Sequence, residues 1–494
     1  MIPSISLEIT VLILGIFLLL AESFSKSDDK RGLAKAAIAI LVALIGFSFF
    51  AKADVGDLAP FYTADATALF FKRIALLTTV IVLIMALEYQ SVLQKFIPGL
   101  TPGAGLGEFY SLPVFTCAGL MFMASAVDFL LIFVSLELVT ISFYVLVAYM
   151  RRQSACLEAG VKYLILGALS TGFLVYGITW IFGVTGQTNL ELIRQVVEAG
   201  HVPEAPFLFG VVLILIALGF KIAAVPFQLW VPDVYQGAPT PITAFLSVGS
   251  KAAGFIVLLR VLQPFLASPE TSGKILTVLG ILAGATLIYG NLAALPQDNF
   301  KRLLAYSSIA HAGYLLIAVA SVSSSPEGFA SSRVAVAYYL AGYLLMTLLS
   351  FLILIVVARH SRGDDIAHFN GLGKRSPFLA FGLLVAMLSL AGIPFTVGFF
   401  GKFLVFATAV QAHNYGLLGI GIVTVGAGFY YYLRVVAAMY WLEPGDDTVI
   451  TIAPLTRFTI GALTLFIFVF GIFPQPILNS LKGVPIEVRT VLHP

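Results

Sequence analysis

The stretch GFKIAAVPFQLW, residues 219–230, closes an apolar run that begins at Phe207 and is long enough to cross a membrane. It contains a lysine, Lys221, and a proline, Pro226. Hydrocarbon cannot solvate the ammonium group, and the proline removes a helical hydrogen bond. A spanning helix that keeps both must turn its freed backbone groups toward protein or water, which is how broken helices form ion sites near the membrane midplane.

The rest of the chain fits that setting. Its 494 residues are 60% hydrophobic and only 11% charged, which excludes a string of soluble domains and predicts an all-α polytopic membrane protein. The formal charge is +3, and the basic residues fall mainly between apolar runs, so nucleic acid is not an expected partner. Cys117 and Cys156 lie in or beside apolar segments and form neither a disulfide framework nor a metal-ligand spacing. The first run, Ile5 to Leu20, lacks a basic leader and carries Glu8, which predicts a retained span.

About 20 apolar residues cross ~30 Å of hydrocarbon, and fourteen such runs are legible. They are 3–22, 35–52, 66–87, 111–126, 128–150, 156–183, 206–231, 240–264, 273–292, 300–321, 332–358, 376–408, 414–441 and 455–475. The fourth and fifth nearly touch at Ser125 to Asp128. Long runs without alternation mean helices, because only helices or closed barrels satisfy the backbone in lipid.

Charge orients them. Loops after odd-numbered spans carry Lys26, Lys30, Arg31, Lys35, Lys95, Arg151, Arg152, Lys301, Arg302, Arg359, Arg362, Lys374, Arg375 and Arg457. The other side carries Lys52, Arg194, Lys274, Arg333, Lys482 and Arg489. The positive-inside rule therefore puts both termini outside, with Lys72 and Arg73 in the outer half of span three as exceptions.

AVPF at 224–227 in span seven resembles GIPF at 392–395 in span twelve, each with a lysine nearby. The copies are five spans apart, and an odd number of helices inverts the second copy. After Pro226 and Pro232, the segment GAPTPIT adds Pro239 and Pro241, which predict an extended connection into span eight.

An ionisable side chain at a helix centre costs on the order of 2.5 to 3.5 kcal/mol on insertion scales. The deepest here are Glu137 in FVSLELVTISFY, Lys221, Lys251 in FLSVGSKAAGF and Lys402 in PFTVGFFGKFLVF. Less deep are Lys162, one turn after Glu158, and His311 in YSSIAHAGY. Each has a plainer reading. Glu137 and Lys221 could form a structural ion pair; Lys251 could snorkel to the surface, though it lies some ten residues in; Lys402 could sit at a re-entrant bend. His311 could be a packing histidine, and Lys162 with Glu158 an i,i+4 pair at the cytoplasmic end of span six. Arg260 and Arg434 read as interfacial or structural.

A free lysine, with a pKa of about 10.4, stays protonated near neutrality and so is useless as a proton carrier. Burial lowers that value and a nearby carboxylate raises it, by roughly 3 kcal/mol at ~5 Å and an effective dielectric of about 20. Moving the carboxylate would load or unload the amine, and several such lysines in a row would make a proton path. No phosphate-cradling glycine loop, zinc or haem ligand set, or hydrolytic triad is apparent.

The segment FKIAAVPFQLWVPDVYQGAPTPITAFLSVGSKAAGF, residues 220–255, closely resembles the antiporter-like subunit N (subunit 2) family of proton-pumping NADH-quinone oxidoreductase, respiratory complex I. Supporting matches are SLELVTISFYVLVAY around Glu137, EAGVKYLILGALSTGFLVYG around Lys162, DNFKRLLAYSSIAHAGY around His311 and LAGIPFTVGFFGKF ending beside Lys402. They occur in the family's order over roughly residues 110–440.

The resemblance implies a translocase subunit in which Glu137 tunes Lys221 in broken span seven. Lys251 and His311 are then central relay positions, Lys402 in broken span twelve is the terminal group, and Lys162 with Glu158 lies near the first pair. It also implies two inverted five-helix repeats, spans four to eight and nine to thirteen. The expected divisions are 1–110, 111–266, 267–441 and 442–494.

FMN, iron-sulfur clusters and quinone are expected in partner subunits, with no cofactor in this chain. Expected partners are other membrane subunits, sibling antiporter-like subunits among them, in a multi-pass bacterial inner-membrane setting. Gln228 stands where many relatives have histidine, so a role for that histidine in proton entry does not carry over, and Gln236 stands where many have glutamate, so a carboxylate there is not essential to the mechanism. The alternative is a subunit of a multisubunit sodium/proton antiporter, whose usual WLPDAH is WVPDVYQGAP here. Lys402, where subunit M would have glutamate, and an end soon after span fourteen favour subunit N. A passive scaffold would leave the buried charges and broken helices without a role.

Overall fold

A computed structural model describes residues 2–25, 29–52, 60–97, 106–200, 202–322, 326–361, 363–444 and 450–481. Lys26, Arg362, Lys482 and Arg489 lie outside the described residues, as does the side chain of Lys52. Among the described residues thirteen helices are long and apolar enough to span a membrane. Two shorter ones, Pro377–Ala391 and Val397–Gln411, together make the fourteenth crossing, span twelve.

The crossings follow the apolar runs closely. Spans one to six are Ile5–Phe24, Arg31–Phe47, Ala66–Phe96, Leu106–Ser125, Phe129–Val147 and Ser154–Thr185. Span seven is Glu204–Ile222, followed after a break by the short helix Val231–Gly237. Span eight runs over Thr240–Phe265, and spans nine to eleven are Pro269–Ala294, Phe300–Ala320 and Pro326–Ser361. Spans thirteen and fourteen are Tyr415–Trp441 and Pro454–Ile472.

Local chemistry sets the boundaries. Spans four and five separate because Asp128 caps the second, accepting from Leu130 N–H at 2.8 Å. As the prolines predict, Ala238 and Pro239 are extended and Thr240 begins span eight with Pro241 in its first turn.

Three expectations need correction. Most of the basic residues assigned to loops lie in helices instead: Arg31 and Lys35 in span two, Lys95 in the last turn of span three, Lys274 in span nine, Lys301 and Arg302 in span ten, Arg333 and Arg359 in span eleven, Arg457 in span fourteen, and Lys374 with Arg375 in the short helix Leu372–Arg375. Arg194 is not in a loop either: Leu190–Glu198 is an amphipathic helix whose Leu190, Ile193 and Val197 are buried. Its 3.6-residue periodicity is visible in LELIRQVV, but the segment is too short to register as a span. Lys72 is not a stray basic charge at the outer end of span three. It is fully buried 2.7 Å from Glu8 of span one, with Tyr62 and Ser4 completing its shell. A lysine neutralised by a buried carboxylate does not act as a free orienting charge.

Spans eight and ten are entirely buried and span eleven nearly so, whereas spans one, two, six, thirteen and fourteen expose long aliphatic faces. The centre of the molecule is therefore the stretch that carries Lys251 and His311. Arg260 ties span eight outward, to Asp65 at 3.0 Å and to the Ala124 carbonyl at 2.8 Å. Arg434 donates to the Leu295 carbonyl at 3.2 Å and to the Gln297 carbonyl, a structural role as expected. Both cysteines are free and buried.

Removing one member of a buried ion pair leaves an uncompensated charge, at a cost of about 3 to 5 kcal/mol. Lys72→Met is therefore expected to lower the thermal unfolding midpoint in detergent sharply, and Glu8→Gln/Lys72→Met to recover most of the loss. Equal midpoints for the single variant and the unaltered protein would contradict the pairing.

Candidate functional site

Span seven breaks where the sequence places Pro226. The helix ends in a left-handed residue, Ala223, with φ 66°. The freed groups find partners: Ala224 N–H reaches back to the Gly219 carbonyl at 2.8 Å, and Trp230 Nε1 donates to the Phe220 carbonyl at 3.0 Å. Val225 N–H donates to Thr286 Oγ1 of span nine at 3.0 Å. Gln228 is buried in the break, and its Oε1 has no partner among the described residues.

Lys221 lies in the last turn before this break, buried, and donates to Thr140 Oγ1 of span five at 2.5 Å. Glu137, one turn before Thr140, is half-buried and accepts instead from Thr171 of span six at 2.8 Å. No ion pair joins Glu137 to Lys221 among the described residues, so the structural-pair reading is not what the side chains do. Each charge has its own threonine: Thr171 for Glu137 and Thr140 for Lys221.

Lys251 is too deep to snorkel. It follows a single turn of wider, i→i+5 helix at Leu246–Ser250, a distortion that frequently marks functional sites. Its amine donates to the Ser308 carbonyl and, at 2.5 Å, to Ser308 Oγ of span ten. Ser308 Oγ also meets the Tyr235 hydroxyl at 3.2 Å, and Tyr235 belongs to the short helix after the break in span seven. One serine thus joins the broken helix to the central lysine.

His311 lies one turn beyond Ser308. Its Nδ1 meets Tyr339 Oη at 2.6 Å and its Nε2 meets Tyr432 Oη at 3.1 Å, so both nitrogens have hydroxyl partners from other spans. Tyr432 also meets Ser307 Oγ at 2.5 Å. One further turn along is Tyr314, whose ring lies 5.0 Å from the amine of Lys402. Ser308, His311 and Tyr314 recur every three residues and so share one face of span ten.

Lys402 reaches back across the break of span twelve. It donates to the Leu390 and Ala391 carbonyls at 3.0 and 2.7 Å, the C-terminal end of Pro377–Ala391. That half-helix ends on Gly392 at φ 92°, a conformation glycine adopts without strain. The re-entrant bend and the lysine are therefore one feature.

Lys162 is apart from this line, on a half-exposed surface. It pairs with Glu158 at 2.7 Å, as the i,i+4 spacing predicts, and with Asp233 at 2.6 Å. Asp233 also takes Arg302 of span ten at 2.9 Å, and so links span six, the short helix of span seven and span ten. Sequence reasoning missed Asp233; its signal was a carboxylate directly after Pro232 in the first turn of a helix. Among the described residues no group of three or more His, Cys, Asp or Glu side chains is placed to hold a metal ion.

Spans nine and ten meet through glycines. A Cβ on Gly290 would fall 2.6 Å from the Ala310 nitrogen, and one on Gly313 would fall 2.8 Å from the Leu287 nitrogen. Gly290→Ala is expected to push span ten away and destabilise the protein by about 1 to 3 kcal/mol. A thermal midpoint equal to that of the unaltered protein would contradict this close approach beside His311.

Residues 126–428 match the family model described as NADH:quinone oxidoreductase/Mrp antiporter, TM. A NADH-quinone oxidoreductase subunit N from Desulforamulus reducens is 36% identical over 477 residues, 96% of each chain. One from Trichlorobacter lovleyi is 41% identical over 446 residues, covering 89% of this chain and 87% of its own. A chain of respiratory complex I from Thermus thermophilus with bound aureothin superposes with a TM-score of 0.79 at 31% identity, over 96% of this chain and 99% of that one.

Proposed function

Since the chain belongs to the NADH-quinone oxidoreductase subunit N family, we propose that it is a proton-translocating membrane subunit of such a complex. In this reading Glu137, Lys221, Lys251, His311 and Lys402 form its relay. The observation that carries the proposal is the company the three deep lysines keep. Lys221, Lys251 and Lys402 are buried, and the hydrogen bonds of each go to neutral oxygens: a threonine hydroxyl, a serine, and two backbone carbonyls.

A lysine locked to a carboxylate is a fixed structural charge. One held by neutral acceptors can gain or lose a proton without leaving an opposite charge stranded. The Ser308, His311 and Tyr314 face of span ten supplies groups that both donate and accept between Lys251 and Lys402. Glu137 is the tuning charge of this relay, set apart from Lys221: Thr171 holds the carboxylate and Thr140 the amine. Shifting span five against span seven would change that separation and so the load on Lys221.

Lys162, Glu158 and Asp233 are the charged tie between span six and the short helix of span seven. Asp233 is a positioning residue that also holds Arg302. Residues 111–266 and 267–441 act as two inverted repeats, flanked by an N-terminal segment, 1–110, and a C-terminal helix and tail, 442–494. The breaks in spans seven and twelve support that division. Both termini face outward in a bacterial inner membrane, on the charge distribution of the loops. FMN, iron-sulfur clusters and quinone are assigned to partner subunits, with sibling antiporter-like subunits beside this one.

Lys221→Met keeps the length of the side chain and removes its proton. In membrane vesicles carrying the assembled complex, proton uptake linked to NADH oxidation is expected to slow by roughly 100-fold, the scale of a lost acid-base group. Thr140→Val is expected to give a smaller loss, because the amine survives. Unchanged proton uptake in Lys221→Met would reject the relay.

A further inference from the structure

A cleft of about 340 Å³ opens between spans two, three, eleven and fourteen, lined in part by Arg31, Lys35, Ile84, Leu87, Arg359 and Leu455. It belongs to none of the relay. Two of its three cations are held in place from behind. Arg31 Nε donates to buried Gln90 at 2.6 Å, and Arg359 Nη1 donates to Glu88 Oε1 at 2.7 Å. The other oxygen of Glu88 accepts from Thr456 at 2.9 Å, so this buried carboxylate is fully engaged.

Each guanidinium thereby commits one nitrogen and keeps its remaining N–H groups on a side chain that is 54% exposed for Arg31 and 43% for Arg359. Lys35, one helical turn after Arg31, adds an exposed ammonium. Against three cations stand Glu88 and Asp29, the latter 3.9 Å from Arg31, so the cleft stays net positive. Behind the basic rim the wall is apolar: Ile84, Leu87 and Leu455.

We propose that this cleft binds the headgroup of an anionic phospholipid. Its phosphate would be taken by the forks of Arg31 and Arg359 with Lys35 beside them, and its acyl chains would leave along Ile84, Leu87 and Leu455. Guanidinium groups fit phosphate with paired hydrogen bonds. Basic pockets between transmembrane helices are where such headgroups seat. Pre-oriented side chains lose little freedom on binding. Free phosphate would use the rim but leave the apolar wall empty, which is why the lipid is favoured. The bound lipid would join span two of the N-terminal segment to spans eleven and fourteen.

The test is a photocrosslinker at Ser91, an exposed cleft residue, in the complex purified in mild detergent. Mass spectrometry of the adduct is expected to find phosphatidylglycerol or cardiolipin, enriched over its share of the membrane. Two lost cations correspond to about 30-fold weaker binding, and Arg31→Gln/Lys35→Gln should lose the adduct accordingly. Lys35→Gln alone, at an exposed position, should weaken it about fivefold without perturbing the fold. Lys274→Gln, at an exposed lysine paired with Glu204 elsewhere, should leave it intact. A phosphatidylethanolamine adduct in its bulk proportion, no lipid adduct at all, or an adduct indifferent to both cleft variants would overturn the site. Displacement by excess inorganic phosphate with no lipid enrichment would assign it to free phosphate and equally overturn it.

Discussion

The structure depends on one constraint: within a bilayer, every buried ammonium and every freed peptide group must find a partner inside the protein. Spans seven and twelve satisfy it together. Breaking a helix exposes carbonyls at the end of its first half, where the helix dipole is negative. In both breaks a lysine occupies that end. Lys221 belongs to the last turn of Glu204–Ile222, and Lys402 folds back from the second half onto the carbonyls of Leu390 and Ala391. A cation at a negative helix end is stabilised without a counter-ion, which accounts for Lys402 on its two carbonyls and favours Lys221 in the last turn of its half-helix; Lys251, at the start of Lys251–Phe265, depends on Ser308 instead.

The rest follows from where that arrangement leaves the charges. Among the described residues no carboxylate is bound to the deep lysines, and the side chains around them are hydroxyls and an imidazole: Thr140, Ser308, His311 and the tyrosines around it. The carboxylates have been moved outward. Glu137 is held by Thr171 on the half-buried face of span five, and Asp233 binds Lys162 and Arg302 at the surface. On the proposed reading, an outside event that moved span five or the short helix of span seven would reach the deep lysines through Thr140 or through Tyr235 and Ser308.

Most of the fold was legible in the sequence because hydropathy speaks directly to a bilayer. The fourteen crossings, the breaks at Pro226 and Pro394, and the extended link at Pro239 all left compositional marks. The identities of the deep charged residues were legible for the same reason, since a charge in an apolar run stands out. Their partners were not. Nothing in the spacing of Glu137 and Lys221 says that each takes a different threonine, and nothing in FLSVGSK announces a widened turn before Lys251. The Glu8 and Lys72 pair was hidden because its members lie in different spans. Long-range contacts between side chains carry no local signature; the exception is the three-residue rhythm of Ser308, His311 and Tyr314.

The central claim is that the buried lysines move protons rather than merely fill helix ends. It is tested most directly at Lys251, which is buried at the centre of the molecule and hydrogen-bonded to Ser308 alone among the described residues. The measurement is the number of protons translocated per NADH oxidised by the purified complex reconstituted into proteoliposomes, with Lys251→Met against the unaltered chain. The account predicts a lower ratio in an assembled, normally stable complex. An unchanged ratio would contradict it and return Lys251 to a structural role.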